Sequence, residues 1–83
     1  MRDVTIRDYI GTKKELTAEE VKKLPVGTKV VLHHFDRYGS HCELELEVVQ
    51  SGKKKILVAH DWSGTRIEKP IRTATDRFCY TEA

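Results

Sequence analysis

The chain has 83 residues, with 15 Lys and Arg against 13 Asp and Glu, for a formal net charge of +2. That length holds one domain, 1–83, and excludes folds of about 200 residues or more, such as a (β/α)₈ barrel or a dinucleotide-binding enzyme with its own substrate domain. Hydrophobic residues make up 39%, enough for one small core, and the mixed-sign charge lacks the strong basic excess usual for small nucleic-acid binders.

Residues 1–25 read as an N-terminal helical segment. In DVTIRDYI (3–10), Asp3 is a candidate N-cap, and Ile6, Tyr9 and Ile10 share one helical face before the stop at Gly11. The competing reading is a short strand from Val4 to Ile6. TAEEVKKL (17–24) carries the clearest local signal. Thr17 and Glu20 form a T-x-x-E capping box, and Leu16 and Val21 stand at the positions of a hydrophobic staple. Glu19 and Glu20 precede Lys22 and Lys23, matching the helix dipole, and Pro25 ends the helix. Two turns are too short to be stable alone, so this helix must dock on something.

Residues 26–83 read as β structure. GTKVVLHHF (27–35) is a strand, and DRYGS (36–40) is a turn with Asp at the first position and Gly at the fourth. CELELEVV (42–49) alternates: Cys42, Leu44, Leu46 and Val48 point one way, Glu43, Glu45 and Glu47 the other. Its sheet therefore has one wet face. Gln50-Ser51-Gly52 fits a three-residue hairpin loop pairing Val49 with Lys53, which sets Glu47 opposite Lys55, Leu46 opposite Ile56 and Cys42 opposite His60. KILVAH (55–60) is the second strand and DWSGT (61–65) another turn. Arg66 to Ile71, interrupted by Pro70, is an edge strand or irregular, and RFCYT (77–81) is the last strand, with Phe78 and Tyr80 on one side and Cys79 on the other. Val, Ile and Thr supply 21 residues and Ala only 4, which favours strands. The expected fold is α+β, mainly β: a small SH3-like five-stranded antiparallel barrel, closed to remove exposed edges and preceded by one or two short helices.

No chemical motif is complete. His33 and His34 are adjacent, so a strand points them to opposite faces. His41, Cys42, His60 and Cys79 could gather under the proposed hairpin register, but the close-spaced pairs that usually build zinc sites are absent, so no metal or other cofactor is expected. Ser63 lacks the surroundings of a nucleophile elbow. Glu43, Glu45 and Glu47 read as a solvated ladder, and the isolated glycines form no phosphate loop. The expectation is a protein without enzymatic activity. Two cysteines without a CxxC read as free thiols, no apolar run nears the roughly 18 residues that span a bilayer, and MRDVTIRDYI lacks a signal-peptide core. These features point to the cytoplasm.

Two binding roles follow. The first is a small module acting through a protein partner, as an inhibitor or adaptor of the kind a phage or other mobile element encodes. Its contact residues would be Trp62, Arg66, Tyr38, Arg37 and Arg72, the residue types that dominate interfaces, on a monomer or weak homodimer. The alternative is a small nucleic-acid-binding accessory protein. Residues 1–50 carry net −1 and residues 51–83 net +3, and the basic 53–77 segment offers Lys53, Lys54, Lys55, Trp62, Arg66 and Lys69. Trp62 reads either as a plug for the barrel end or as an exposed anchor.

Overall fold

The structure is a computed structural model describing residues 5–60 and 62–83. A 3₁₀ helix, Ile6–Tyr9, precedes strand β1 (Glu15–Leu16) and helix α1 (Ala18–Lys23). Then come β2 (Lys29–Phe35), β3 (His41–Ser51), β4 (Lys54–His60), β5 (Arg66–Pro70) and β6 (Phe78–Glu82). The six strands form one antiparallel sheet in the order β1-β6-β2-β3-β4-β5.

The capping signal places α1. Thr17 Oγ1 accepts from the Glu20 N–H and Glu20 Oε1 accepts from the Thr17 N–H, each at 3.1 Å. The backbone donor holds the Glu20 carboxyl below its usual range. Leu16 and Val21 are buried in one core with Val30, Leu32, Leu46, Val48, Leu57, Ala59 and Tyr80. At the other end of α1 the Lys55 ammonium donates to the Leu24 carbonyl at 2.7 Å, a cap supplied from β4. A short helix is thus fixed at both ends, and its apolar side closes one face of the sheet. The opposite face holds a smaller cluster, in which Ile6, Ile10 and Cys79 pack with Phe35 and Ala74. Asp8 Oδ2 accepts from the Thr5 N–H at 3.0 Å, and the Ile6 N–H donates to the Asp76 carbonyl at 2.8 Å, which ties the 3₁₀ helix to the β5–β6 connection. The cap at this helix is Thr5; Asp3 and Val4 lie outside the described residues.

Several expectations are corrected. The sheet is open, not a closed five-stranded barrel, and it has six strands. The extra strand, β1, lies within the segment read as helical, where Leu16 pairs with Tyr80. The edges need no closure, because β1 is two residues long and β5 ends at Pro70, which has no N–H to offer.

The β3–β4 register is also different. Ser51 pairs with Lys54, leaving a two-residue Gly52-Lys53 loop, so Glu47 faces Val58 and Gln50 faces Lys55. Gly52 has φ +61 and Lys53 does not share the positive sign, the pattern of a type II′ turn, whose twist suits paired strands. The expected loop rested on keeping the apolar residues of β4 on one face. In fact Ile56, Leu57, Val58 and Ala59 are all buried. A strand buried on both faces has no alternation with which to fix its register. Glu47 instead faces Lys29 of β2, and Lys29 Nζ lies 3.5 Å from Glu45 Oε1. The alternation of β3 itself holds, with Leu46 and Val48 buried and Glu43 and Glu45 exposed.

Candidate interaction and histidine sites

Neighbouring strands run antiparallel, so the β2–β3 turn and the β4–β5 turn leave the same end of the sheet. The first turn is built by Asp36. Its backbone carbonyl accepts from the Gly39 N–H at 3.0 Å, and its carboxylate Oδ1 accepts from Tyr38 and Ser40 N–H at 2.8 and 2.9 Å. An aspartate that binds its own loop this way fixes a type of turn that leaves the intervening side chains outside. Tyr38 is 83% exposed, with the Arg37 guanidinium 5.8 Å above its ring. Trp62, on the second turn, is 98% exposed, which overturns the plug reading. Asp61, beside it, lies outside the described residues. Arg66 opens β5, where its Nε lies 3.3 Å from Glu68 Oε1.

The two turns are staggered. The β3–β4 ladder ends at Glu47↔Val58, and β3 runs on to His41 beside β2. The Tyr38 turn therefore projects beyond the end of β4 by about four residues, roughly 13 Å along the strand.

Arg72 belongs to a different feature. It lies over the Phe78 ring at 5.6 Å and lines a cleft of about 240 Å³ with Leu32, His34, Lys69, Pro70 and Tyr80. This cleft lies between the edge strand β5 and the β2–β6 pair; the Tyr80 hydroxyl there accepts from the Arg72 N–H at 3.4 Å. Burial pushes the Tyr80 phenol up in pKa.

The basic residues of the alternative reading divide between the two ends of β4. Lys53, Lys54 and Lys55 join Lys22 around a depression of about 550 Å³ at the hairpin end. Trp62 follows the opposite end of β4, Arg66 pairs with His60 at that end, and Lys69 lines the cleft beside β5. Lys55 is half-buried and engaged with Leu24.

A second cluster escaped the sequence reading. Cys42 and His60 are not neighbours: Cys42 pairs with His34 and His60 with Arg66, so His41, Cys42, His60 and Cys79 do not gather. Cys42 and Cys79 are free thiols, on opposite faces, since their partners on β2 are the consecutive residues His34 and His33. His33 faces Glu43 across β2–β3, and His41 stands two residues from Glu43 on the same face. His33 Nδ1 lies 3.1 Å from His41 Nε2 and 3.7 Å from Glu43 Oε1; His41 Nε2 lies 4.0 Å from that same oxygen. Behind them, His33 Nε2 meets Thr81 Oγ1 at 2.8 Å. Tyr9 stacks on the His41 ring at 5.0 Å and meets Phe35 edge-on at 5.5 Å. The His33 side chain is 1% exposed, His41 19% and Glu43 52%, so the cluster opens outward through its carboxylate. Burial lowers the His33 pKa against the pull of Glu43, with His41 and Lys13 lowering it further. The signal was available: the 36–40 turn alone sets Phe35 against His41 and hence His33 against Glu43.

No protein-family model matches the chain, and no curated protein or solved structure matches it significantly. Among the described residues, no helix is long and apolar enough to cross a membrane.

Proposed function

We propose that the protein is a non-enzymatic binding module, an adaptor or inhibitor, that engages a protein partner through Trp62 and the Tyr38 turn. The observation that carries this reading is the 98% exposure of Trp62. A large indole left in water gains nothing for the free fold, and burying its roughly 200 Å² against a partner is strongly favourable. Tyr38, 83% exposed beneath Arg37, adds a second aromatic at the same end of the sheet. Aromatic residues flanked by arginines suit a partner surface with an apolar pocket rimmed by carboxylates. The test is retention of a single identified protein from lysate on the immobilised chain. Trp62→Ala abolishes retention and Tyr38→Ala weakens it, while both variants keep the parent unfolding midpoint. Undiminished retention by both variants refutes the proposal.

The lysines around the hairpin favour a second reading, contact with a nucleic-acid backbone at Lys22, Lys53 and Lys54. Its signature is a mobility shift with random DNA or RNA that weakens steeply with salt and whose salt slope falls by about one to two in Lys53→Ala/Lys54→Ala. No shift at low salt excludes it.

A further inference from the structure

We propose that His33, His41 and Glu43 form a binding site for a divalent transition-metal ion, with zinc the natural probe. The donors are His33 Nδ1, His41 Nε2 and a Glu43 carboxylate oxygen, all within 4.8 Å of one another. A point equidistant from three atoms separated by 3.1, 3.7 and 4.0 Å lies about 2.1 Å from each, inside the range of zinc–imidazole and zinc–carboxylate bonds. Two imidazoles and one carboxylate are a donor set that zinc and ferrous iron both accept.

The surroundings are those of a ligand site. The second nitrogen of His33 already has a partner, Thr81 Oγ1 at 2.8 Å, which can fix the proton on Nε2 and leave the Nδ1 lone pair turned toward the cluster. Tyr9 stacked on His41 limits the tilt of that ring. Facing at 3.1 Å, the two neutral imidazoles must share one hydrogen between Nδ1 of His33 and Nε2 of His41. Metal binding takes the Nδ1–H tautomer of His41, a change that releases no proton, and a small rotation of the His41 ring turns both lone pairs toward the ion. Glu43, exposed by half, already holds Oε1 at 3.7 and 4.0 Å from the two nitrogens and completes three protein ligands. Its open side leaves a fourth position to water or to an outside donor.

The experiment uses tag-free, chelator-treated full-length protein titrated with zinc chloride by calorimetry, and with cobalt(II) followed by visible absorption. One ion binds per chain, cobalt gives the intense bands of a low-coordinate nitrogen–oxygen site, and zinc raises the thermal midpoint. His41→Ala and Glu43→Gln each weaken zinc binding roughly 100-fold or more, and Thr81→Val, which touches no metal, weakens it roughly 10–100-fold. His60→Ala, an exposed histidine outside the cluster, leaves it unchanged. Absence of saturable one-to-one binding overturns the proposal. So does binding that survives both ligand substitutions, or that depends on His60.

Discussion

His33 Nε2 and Thr81 Oγ1 meet at 2.8 Å between two residues of the sheet interior that are both fully buried. Neither group reaches water, and among the described residues each satisfies the other on that side. Thr81→Val preserves shape and removes the hydroxyl, stranding a buried ring nitrogen. The expected cost is about 1–3 kcal/mol in urea unfolding, with Thr81→Ser losing less because it keeps the hydroxyl.

The same imidazole makes stability depend on pH. Burial lowers the His33 pKa below its ordinary 6.5, with Glu43 pulling upward and His41 and Lys13 pushing downward. The unfolded chain therefore binds a proton that the folded chain resists. Stability is fully present above about pH 6.5 and falls as pH drops below it, with a slope of at most about 1.4 kcal/mol per pH unit for one proton. Urea midpoints of chelator-treated protein between pH 8 and pH 5 measure this. The decline should flatten in His33→Gln, measured relative to that variant's own stability at pH 8.

At the β3–β4 hairpin the prediction concerns backbone alone. Gly52 sits at φ +61, and a Cβ added there meets nothing within 4 Å. Any loss on Gly52→Ala thus reports the left-handed conformation and not a clash. The expected loss is about 1–2 kcal/mol by chemical denaturation. An unchanged midpoint would mean that the loop is not the two-residue turn described.

Legibility in the sequence followed the strength of local signals. The capping box at Thr17 and Glu20, the Asp36–Gly39 turn and the alternation through Leu44, Leu46 and Val48 each encode a geometry within a few residues, and each appears in the fold. The hairpin register did not, because Ile56 to Ala59 is apolar at four consecutive positions and satisfies either pairing. Barrel closure failed for a non-local reason: it would have to join the two edge strands, β1 and β5, and β1 offers only Glu15 and Leu16 while β5 ends at Pro70, so the two do not meet as a ladder. Trp62 showed its type but not its environment, since a turn residue can point inward or outward. The histidine cluster was hidden by the hairpin register: the expected three-residue loop set Cys42 of β3 beside His60 of β4, while the donors face each other across β2 and β3.

The proposed binding role requires that Trp62 stand in water until a partner covers it. Because it is the only tryptophan of the chain, its fluorescence reports this directly. In the free protein the expected result is red-shifted emission and acrylamide quenching as efficient as for a free indole; addition of the retained partner shifts the emission to the blue and sharply reduces quenching. A shielded Trp62 in the free protein, or one whose emission and quenching stay unchanged when the partner is bound, would contradict it.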